Sequence, residues 1–251
     1  MDIKKKMKIK LGQNFLIDPR TAEREIRYAE VNKEDTVLEI GPGNGIITQK
    51  LAEKAKQVIA IEIDKNLILE LKPKLPENVE LIQGDAVKID FNKLKKFNKI
   101  VSNLPYQISS PIIFKILENE FKVAILILQK EFAERLTAEP NTKKYSRLTV
   151  NAYYKYKTKI LEYIPRSVFK PVPRVDSCIV ELKPRNRPPF ILNDEKIFFE
   201  LTKRLFNNRR KKIKNTLKDY KIALDKIPYV DMRVEQLTPE QIGEISNIIT
   251  K

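Results

Sequence analysis

The strongest constraint on the fold is an alternation between short apolar runs and segments with helical periodicity. Runs rich in Val, Ile and Leu occupy residues 36–40, 57–63, 79–83, 98–103 and 123–129, and helical patterns separate them. Apolar runs of this length are typical of parallel strands in a sheet that helices cover on both faces. The pattern therefore predicts βαβ units and an α/β fold built on a mainly parallel sheet.

The pattern changes in the second half of the chain. Residues 148–164 and 177–183 have the composition of longer strands and predict an antiparallel hairpin at the sheet edge. The segment 183–190, KPRNRPPF, has the Pro and Arg content of a linker. Beyond it, apolar residues recur every four positions, as at Leu201 and Leu205, so the remainder is predicted to be helical.

These changes in pattern predict three parts. A basic arm that ends in GQNFL covers residues 1–17, and an α/β domain covers residues 18–185. A helical domain covers residues 190–251. A helical domain of that length would bury little surface as an independent fold.

The composition excludes several chemistries. The chain has 49 Lys and Arg against 33 Asp and Glu, a formal charge of +16, with no His and one Cys. Imidazole catalysis, His-ligated metals and intrachain disulfides are therefore excluded, and Cys178, in an apolar run, is expected in the core. The charge predicts a polyanionic partner, nucleic acid ahead of an anionic membrane surface. Without a long apolar run or a signal peptide, we expect a cytoplasmic protein that does not enter the membrane.

Three of the six glycines follow the first predicted strand directly, at Gly41, Gly43 and Gly45. Glu62 ends the second strand and Asp85 follows the third, where carboxylates can accept hydrogen bonds from ribose hydroxyls and from an adenine amino group. Taken singly, these residues could form a tight turn, a solvated strand end and a helix N-cap. Because the carboxyl ends of parallel strands meet at one crevice, together they predict a site for an adenosine-containing ligand.

The fourth strand ends in the tetrad Asn103-Leu104-Pro105-Tyr106. An ordinary X-Pro turn is the alternative interpretation. Methylation of an exocyclic amine needs acceptors that favour a tetrahedral nitrogen, and the Asn103 side-chain oxygen and the Leu104 carbonyl, fixed by the Pro105 ring, could supply them. Tyr106 could stack on a flipped base and face the developing positive charge. The sulfonium of S-adenosylmethionine supplies an activated methyl group, so the protein needs mainly to align the reactants.

The motifs as a set resemble a known family. LGQNFL, EIGPGNGIIT, EID, GDA, NLPYQISSP, LQKEFAERL and VFKPVPRVDS occur in order from residue 10 to about residue 183, and the match resumes at LFNNRRKKIKNTL (205–217). Together they are similar to the ribosomal RNA adenine N6,N6-dimethyltransferases of the KsgA/Dim1 type, in their archaeal and eukaryotic branch. The resemblance implies a Rossmann-like, seven-stranded S-adenosylmethionine-dependent methyltransferase domain and a small C-terminal all-helical domain. It implies dimethylation of two adjacent adenosines near the 3′ end of small-subunit rRNA.

The resemblance also implies roles for individual residues, with no metal involved. It assigns Phe169 to stacking on the target base opposite Tyr106. The implied catalytic residues are Asn103, Leu104, Pro105, Tyr106 and Phe169. The implied cofactor contacts are Asn14, Leu16, Gly41, Gly43, Glu62, Asp85 and Asn103. Without the resemblance, Phe169 would be interpreted as a core or loop aromatic and Asn14 as a turn residue.

Half of the net charge lies in one short segment. Residues 203–221 contain nine Lys and Arg against one Asp, and five more lysines lie in the first ten residues. A solvated helix face is the ordinary interpretation of such a run. A helix with one buried face could also turn its cations to RNA phosphates, which position a substrate without reading its sequence. The predicted RNA-binding residues are Lys203, Arg204, Arg209, Arg210, Lys211, Lys212 and Lys214.

Two other functions remain open from the sequence. One is an RNA-binding ribosome-assembly or transcription-type factor in which the methyltransferase chemistry is dispensable. The other is an adenine methyltransferase that acts on large-subunit rRNA or on DNA. The leading hypothesis is a monomeric enzyme that acts on a pre-30S-type particle during ribosome biogenesis.

Overall fold

The computed structural model describes residues 13–219 and 224–250. The arm residues 1–12, including Gly12 of GQNFL, lie outside this range. The strands are β1 (Phe15–Leu16), β2 (Thr36–Ile40), β3 (Gln57–Glu62), β4 (Val79–Gln83), β5 (Lys99–Asn103), β6 (Val123–Gln129), β7 (Tyr156–Ile164), β8 (Phe169–Lys170) and β9 (Ser177–Pro184). The α-helices are α1 (Pro19–Tyr28), α2 (Ile46–Lys54), α3 (Lys65–Leu71), α4 (Ser109–Ile116), α5 (Lys130–Leu136), α6 (Arg147–Lys155), α7 (Glu195–Asn207), α8 (Ile213–Thr216) and α9 (Pro239–Ile249).

Seven strands form one mixed sheet in the order β4-β3-β2-β5-β6-β9-β7. Strands β2 to β6 pair in parallel, and β9 runs antiparallel to β6. The chain builds outward from β2 through β3 to β4 and then returns to the other side of β2 with β5. The strand order reverses between β2 and β5, and open α/β sheets bind ligands at the carboxyl ends of the strands at such a reversal. The predicted α/β, Rossmann-like fold is confirmed.

Burial explains why the apolar runs are continuous. The β6 residues from Val123 to Leu128 are all buried, and Val37, Leu38 and Ile40 of β2 are buried as well. Side chains on both faces of these strands are therefore covered, which is what the runs of Val and Ile predicted. Two-residue strands β1 and β8 form a separate antiparallel pair in which Leu16 lies opposite Phe169.

The prediction of one long strand over residues 148–164 is wrong in its first half. Residues Arg147–Lys155 form α6, and only Tyr156–Ile164 form a strand. The Ser146 amide donates to the Thr149 hydroxyl at 3.0 Å, which caps the helix at its start. Six of the nine α6 residues are buried, so the helix carries neither a two-residue nor a clean 3.6-residue alternation. Its β-branched and aromatic residues then favoured the strand interpretation.

The chain divides into two compact units. The sheet unit comprises Met1–Ala133 and Lys159–Pro184, and the helical unit comprises Glu134–Thr158 and Arg185–Lys251. The last passage between the units, after Pro184, lies in the predicted linker. Residues 134–158 group with the helical unit and not with the α/β domain that was predicted over residues 18–185.

Residues 134–158 supply part of the core of the helical unit. Tyr145, Val150 and Tyr154 belong to the same buried cluster as Phe198 and Leu237. The Tyr145 hydroxyl donates to the Leu237 carbonyl at 2.8 Å. The place of residues 134–158 in the helical unit could not be recognised from sequence, because α6 was interpreted as a strand. Within residues 13–219 and 224–250, no helix is both long enough and apolar enough to span a membrane.

Candidate active site

The loop after β2 is shaped by glycines in the left-handed region. Gly41, Gly43 and Gly45 have φ angles of +74°, +58° and +81°. A Cβ atom on Gly43 would lie 2.9 Å from a ring carbon of Phe15, and one on Gly41 would lie 3.1 Å from the Pro105 ring. Only glycine allows both this backbone conformation and this approach. The loop therefore lies directly against the segment before α1 and against the tetrad after β5.

Glu62, at the end of β3, makes a hydrogen bond with this loop. Its side chain is only 3% exposed and accepts hydrogen bonds from the amides of Gly43, at 3.3 Å, and Asp64, at 2.9 Å. Burial raises the pKa of the Glu62 carboxyl, and the amide donors oppose this shift. The carboxyl group is therefore held in one orientation beside the glycine loop.

Asp85 lies in the turn after β4. Its Oδ1 accepts from the Val87 amide at 2.9 Å, and its backbone carbonyl accepts from the amides of Lys88 and Ile89. The Lys88 ammonium lies 4.0 Å from Oδ2. One oxygen of the carboxyl group therefore accepts a hydrogen bond within its own turn, while Oδ2 makes this distant ion pair and no hydrogen bond to any residue that the structure describes.

The tetrad at the end of β5 is held by backbone and side-chain hydrogen bonds. The Asn103 Nδ2 donates to the Asn14 carbonyl at 3.3 Å, and the Leu104 amide donates to the Ile127 carbonyl at 3.2 Å. The Tyr106 hydroxyl lies 2.7 Å from the Ser177 hydroxyl. Because Asn103 uses its amide nitrogen on Asn14, its Oδ1 is the atom suited to accept from a ligand.

These elements enclose one pocket, which we call the cofactor pocket. Its lining includes ten residues that sequence reasoning or the family resemblance singled out: Asn14, Leu16, Gly41, Gly43, Glu62, Asp85, Asn103, Leu104, Pro105 and Tyr106. The structure also adds residues that the sequence did not indicate. Phe15, Asn44 and Gln107 line the same pocket, and their type and spacing carry no chemical signature.

A second depression, which we call the base cleft, adjoins the cofactor pocket. The two share lining residues that include Asn14, Gly43 and Tyr106. The loop that begins at Lys170 also lines the base cleft, through residues that include Val172 and Arg174. Tyr106 therefore lies where the two spaces meet.

A sequence comparison decides the family. A family model described as ribosomal RNA adenine dimethylase matches residues 4–251. The chain belongs to this family. It is therefore an rRNA adenine dimethylase by family, as the motifs implied.

Individual members of the family and its structural neighbours agree with this assignment. The "Probable ribosomal RNA small subunit methyltransferase A" of Methanosarcina acetivorans is 43% identical over 250 residues, which cover 94% of this chain and 91% of that protein. The crystal structure of a dimethyladenosine transferase from Plasmodium falciparum has a TM-score of 0.79 and 32% identity, covering 92% and 95% of the two chains. The 23S rRNA methyltransferase ErmE has a TM-score of 0.68 and 28% identity, covering 95% and 100%.

One predicted site residue of this rRNA adenine dimethylase, Phe169, lies in the core of the sheet unit. Phe169 is 1% exposed and belongs to the buried cluster of the sheet unit with Leu16 and Ile26. It lines neither the cofactor pocket nor the base cleft. The reason is its pairing with β1, since a two-residue strand opposite Leu16 carries the ring into the core. The structure places the Phe169 ring in the core, and the stacking role that the resemblance implied stays a prediction.

A pair of buried acids lies beneath the glycine loop, and the sequence did not single it out. Glu25 of α1 and Glu39 of β2 are almost fully buried. Within the described residues, neither oxygen of Glu25 nor Oε2 of Glu39 has a hydrogen bond of ordinary geometry. The Ser102 backbone and the Thr48 hydroxyl only partly offset the burial of Glu25 and Glu39. Burial, with the Glu39 charge adding to it, raises the pKa of Glu25 well above its ordinary value. Burial, with Glu62 adding to it, raises the pKa of Glu39 to about 8.

The predicted RNA-binding residues of the helical unit fall into two groups. Arg204 donates to the Thr216 carbonyl and to Asp219, and Arg209 donates to Glu235 and to the carbonyls of Thr142 and Lys143. Lys212 and Lys214 both pair with Asp231. The other group is exposed and makes no ion pair among the described residues; it consists of Lys203, Arg210 and Lys211. We call these three the free cations.

Proposed function

We propose that this rRNA adenine dimethylase transfers methyl groups from S-adenosylmethionine to the N6 amino groups of two adjacent adenosines near the 3′ end of small-subunit rRNA. It would act as a monomer in the cytoplasm on a pre-30S-type particle. The observation that carries the proposal is the single pocket that joins Glu62, Asp85 and the Asn103–Tyr106 tetrad. The 43% identity to a protein named for the small subunit supports this target.

The residues of the cofactor pocket fit S-adenosylmethionine. Two glycines leave room where a Cβ atom would meet Phe15 or Pro105, so backbone can approach a ligand closely. Glu62 would accept from the ribose hydroxyls, and Asp85 Oδ2 would accept from the adenine amino group. Asn14, Leu16, Gly41 and Gly43 would surround the methionine part. When bound, S-adenosylmethionine supplies a methyl group on a positively charged sulfur.

The tetrad would prepare the target nitrogen. The adenine N6 lone pair is delocalised into the ring, and acceptors at Asn103 Oδ1 and the Leu104 carbonyl would favour the tetrahedral form in which it is available. Pro105 packs against Gly41 and fixes the distance between these acceptors and the glycine loop. Ser177 holds the Tyr106 hydroxyl, which orients the ring at the junction with the base cleft. The methylated nitrogen is acidic enough to lose its proton without an imidazole base, in agreement with the absence of His.

The experiment that tests this function maps dimethyladenosine on rRNA. Small and large ribosomal subunits that lack the modification are incubated with the protein and isotopically labelled S-adenosylmethionine. Mass spectrometry of defined rRNA fragments should find label on two adjacent adenosines of the small-subunit rRNA. Label on large-subunit rRNA alone, which the similarity to ErmE makes the main alternative, would overturn the proposal, as would the absence of transfer to either subunit.

The free cations lead to a prediction about RNA affinity. Replacing Lys203, Arg210 and Lys211 together by Ala should weaken rRNA binding and reduce the slope of log K against log salt by about 3, because each phosphate contact contributes about one counterion. The measurement is a fluorescence-anisotropy titration with a small-subunit rRNA fragment at several salt concentrations. Replacing Lys54, Lys56 and Lys93 by Ala removes the same charge from exposed positions of the sheet unit and is the matched control. An equal effect of both triple variants would show that only net charge matters.

A further inference from the structure

Lys115 makes an unusual set of contacts for a half-buried lysine. It lies in α4, which begins at Ser109, shortly after the tetrad. Its ammonium donates to the carbonyls of Ala86 and Val87, at 2.9 Å each, and to the carbonyl of Ile89. An ammonium group has three donors, and here all three have partners in one turn.

That turn carries Asp85. Gly84, Asp85 and Ala86 all line the cofactor pocket. The amides of Val87, Lys88 and Ile89 are satisfied within the turn by Asp85 itself. Three of the turn's carbonyls instead converge on Lys115. Because backbone carbonyls that lose their donor must find water or move, the ammonium stabilises the shape of the turn together with the hydrogen bonds to Asp85.

The hydrogen bonds of Lys115 go to the backbone of the turn and not to the Asp85 carboxylate. Asp85 pairs with Lys88, whose ammonium lies 4.0 Å from Oδ2, whereas the Lys115 ammonium lies over the Phe91 ring, 4.6 Å from its centroid. Burial lowers the pKa of Lys115, and the nearby acids Asp90, Asp85 and Glu118 oppose this shift. Its hydrogen bonds to the turn are therefore expected to act on ligand binding through the position of Asp85, in addition to the electrostatic attraction between the two groups.

We propose that Lys115 is a positioning residue that sets the selectivity of the cofactor pocket for adenine by fixing the turn that presents Asp85. This inference rests on the proposed function, in which Asp85 accepts from the adenine amino group. Lys115 also joins this turn to the helix that follows the tetrad, so the adenine end of the pocket and the reacting end share one structural support.

The test compares two ligands that differ in one group. S-adenosylhomocysteine has the 6-amino group, and S-inosylhomocysteine has a carbonyl oxygen in its place. Isothermal titration calorimetry gives both dissociation constants. The wild-type protein should prefer the adenine ligand by about tenfold or more, since the inosine oxygen leaves Asp85 without a donor. Lys115→Met should reduce this preference to about threefold or less, whereas Lys122→Met, at an exposed position, should keep it.

A double-variant cycle separates positioning from general support. Asp85→Asn alone should reduce the preference, and adding Lys115→Met to it should change the ratio no further. If Lys115→Met does not fold, Lys115→Arg takes its place, because a planar guanidinium cannot direct three donors to the same carbonyls. That variant should also lower the preference.

The outcomes distinguish this inference from the proposed function. A wild-type protein that binds both ligands equally would overturn the role of Asp85 in the proposed function. A wild-type preference that persists in the Lys115 variant would overturn the positioning role while leaving the function intact. Equal weakening of both ligands would show that Lys115 supports the fold alone, and would likewise overturn it.

Discussion

Replacing Asn103 by Ala is expected to lower methyl transfer at least about 100-fold, the loss typical when one preset polar group at a reacting centre is removed. The variant loses the Oδ1 acceptor proposed for the target amine. It also loses the hydrogen bond to the Asn14 carbonyl, which should cost only about 1 kcal/mol of folding stability. The measurement is the single-turnover rate of label transfer to small-subunit rRNA, together with thermal unfolding.

Two further variants test whether the loss of activity is due to the missing acceptor at position 103. Asn78→Ala is the matched control, because Asn78 also donates its side-chain amide to backbone carbonyls in the sheet unit but lines neither pocket. It should transfer methyl groups at close to the wild-type rate. Asn103→Asp keeps an acceptor and should retain more activity than Asn103→Ala. A folded Asn103→Ala protein with turnover within tenfold of wild type would remove the proposed role of this side chain.

Replacing Glu39 by Gln is expected to change the pH dependence of stability strongly, because burial raises the pKa of this carboxyl group to about 8. The folded protein holds a proton on Glu39 up to about pH 8, whereas the unfolded chain releases it near the ordinary value of 4.5. Between these values the folded state binds more protons, so stability falls as pH rises, by on the order of 1.4 kcal/mol per pH unit for one group. The loss is complete once the pH exceeds 8.

Gln resembles the protonated carboxyl group but cannot ionise. Glu39→Gln should therefore match the wild type near pH 5 and exceed it in free energy of unfolding by several kcal/mol above about pH 8. Glu25→Gln should behave in the same direction, because burial also raises the pKa of Glu25. Urea unfolding at several pH values measures the effect, with the exposed Glu53→Gln as control. A Glu39→Gln protein less stable by the same amount at every pH would show that the wild-type carboxyl group is ionised.

The part of the site that follows from the sheet could be predicted from the sequence. Parallel strands end at one edge, so the residues that follow them, such as Gly41, Glu62, Asp85 and Asn103, must lie near one another once the strands are recognised. The same reasoning gave the α/β class and the helical end of the chain. These inferences succeed because each depends on local periodicity and on one rule of sheet topology.

The other features of the fold and the site depend on tertiary contacts that no local sequence pattern indicates. Phe169 is buried because β8 pairs with β1, in which its partner Leu16 lies 153 positions earlier in the chain. No periodicity in the sequence signals a pairing of two-residue strands. Lys115 has the appearance of an ordinary helix lysine, since its partners are backbone carbonyls. The α6 residues resemble a strand because the helix is buried on most sides.

The position of residues 134–158 in the helical unit limits how the protein can be divided into fragments. The chain passes between the two units three times, after Ala133, Thr158 and Pro184. A fragment cut at the last passage would carry α7 and α9 without Tyr145, Val150 and Tyr154, leaving the apolar side chains that they cover in water. Residues after Pro184 are therefore not expected to fold on their own. Recombination or truncation at the Pro-rich segment would break a core, and a working exchange between relatives must transfer both stretches of chain together.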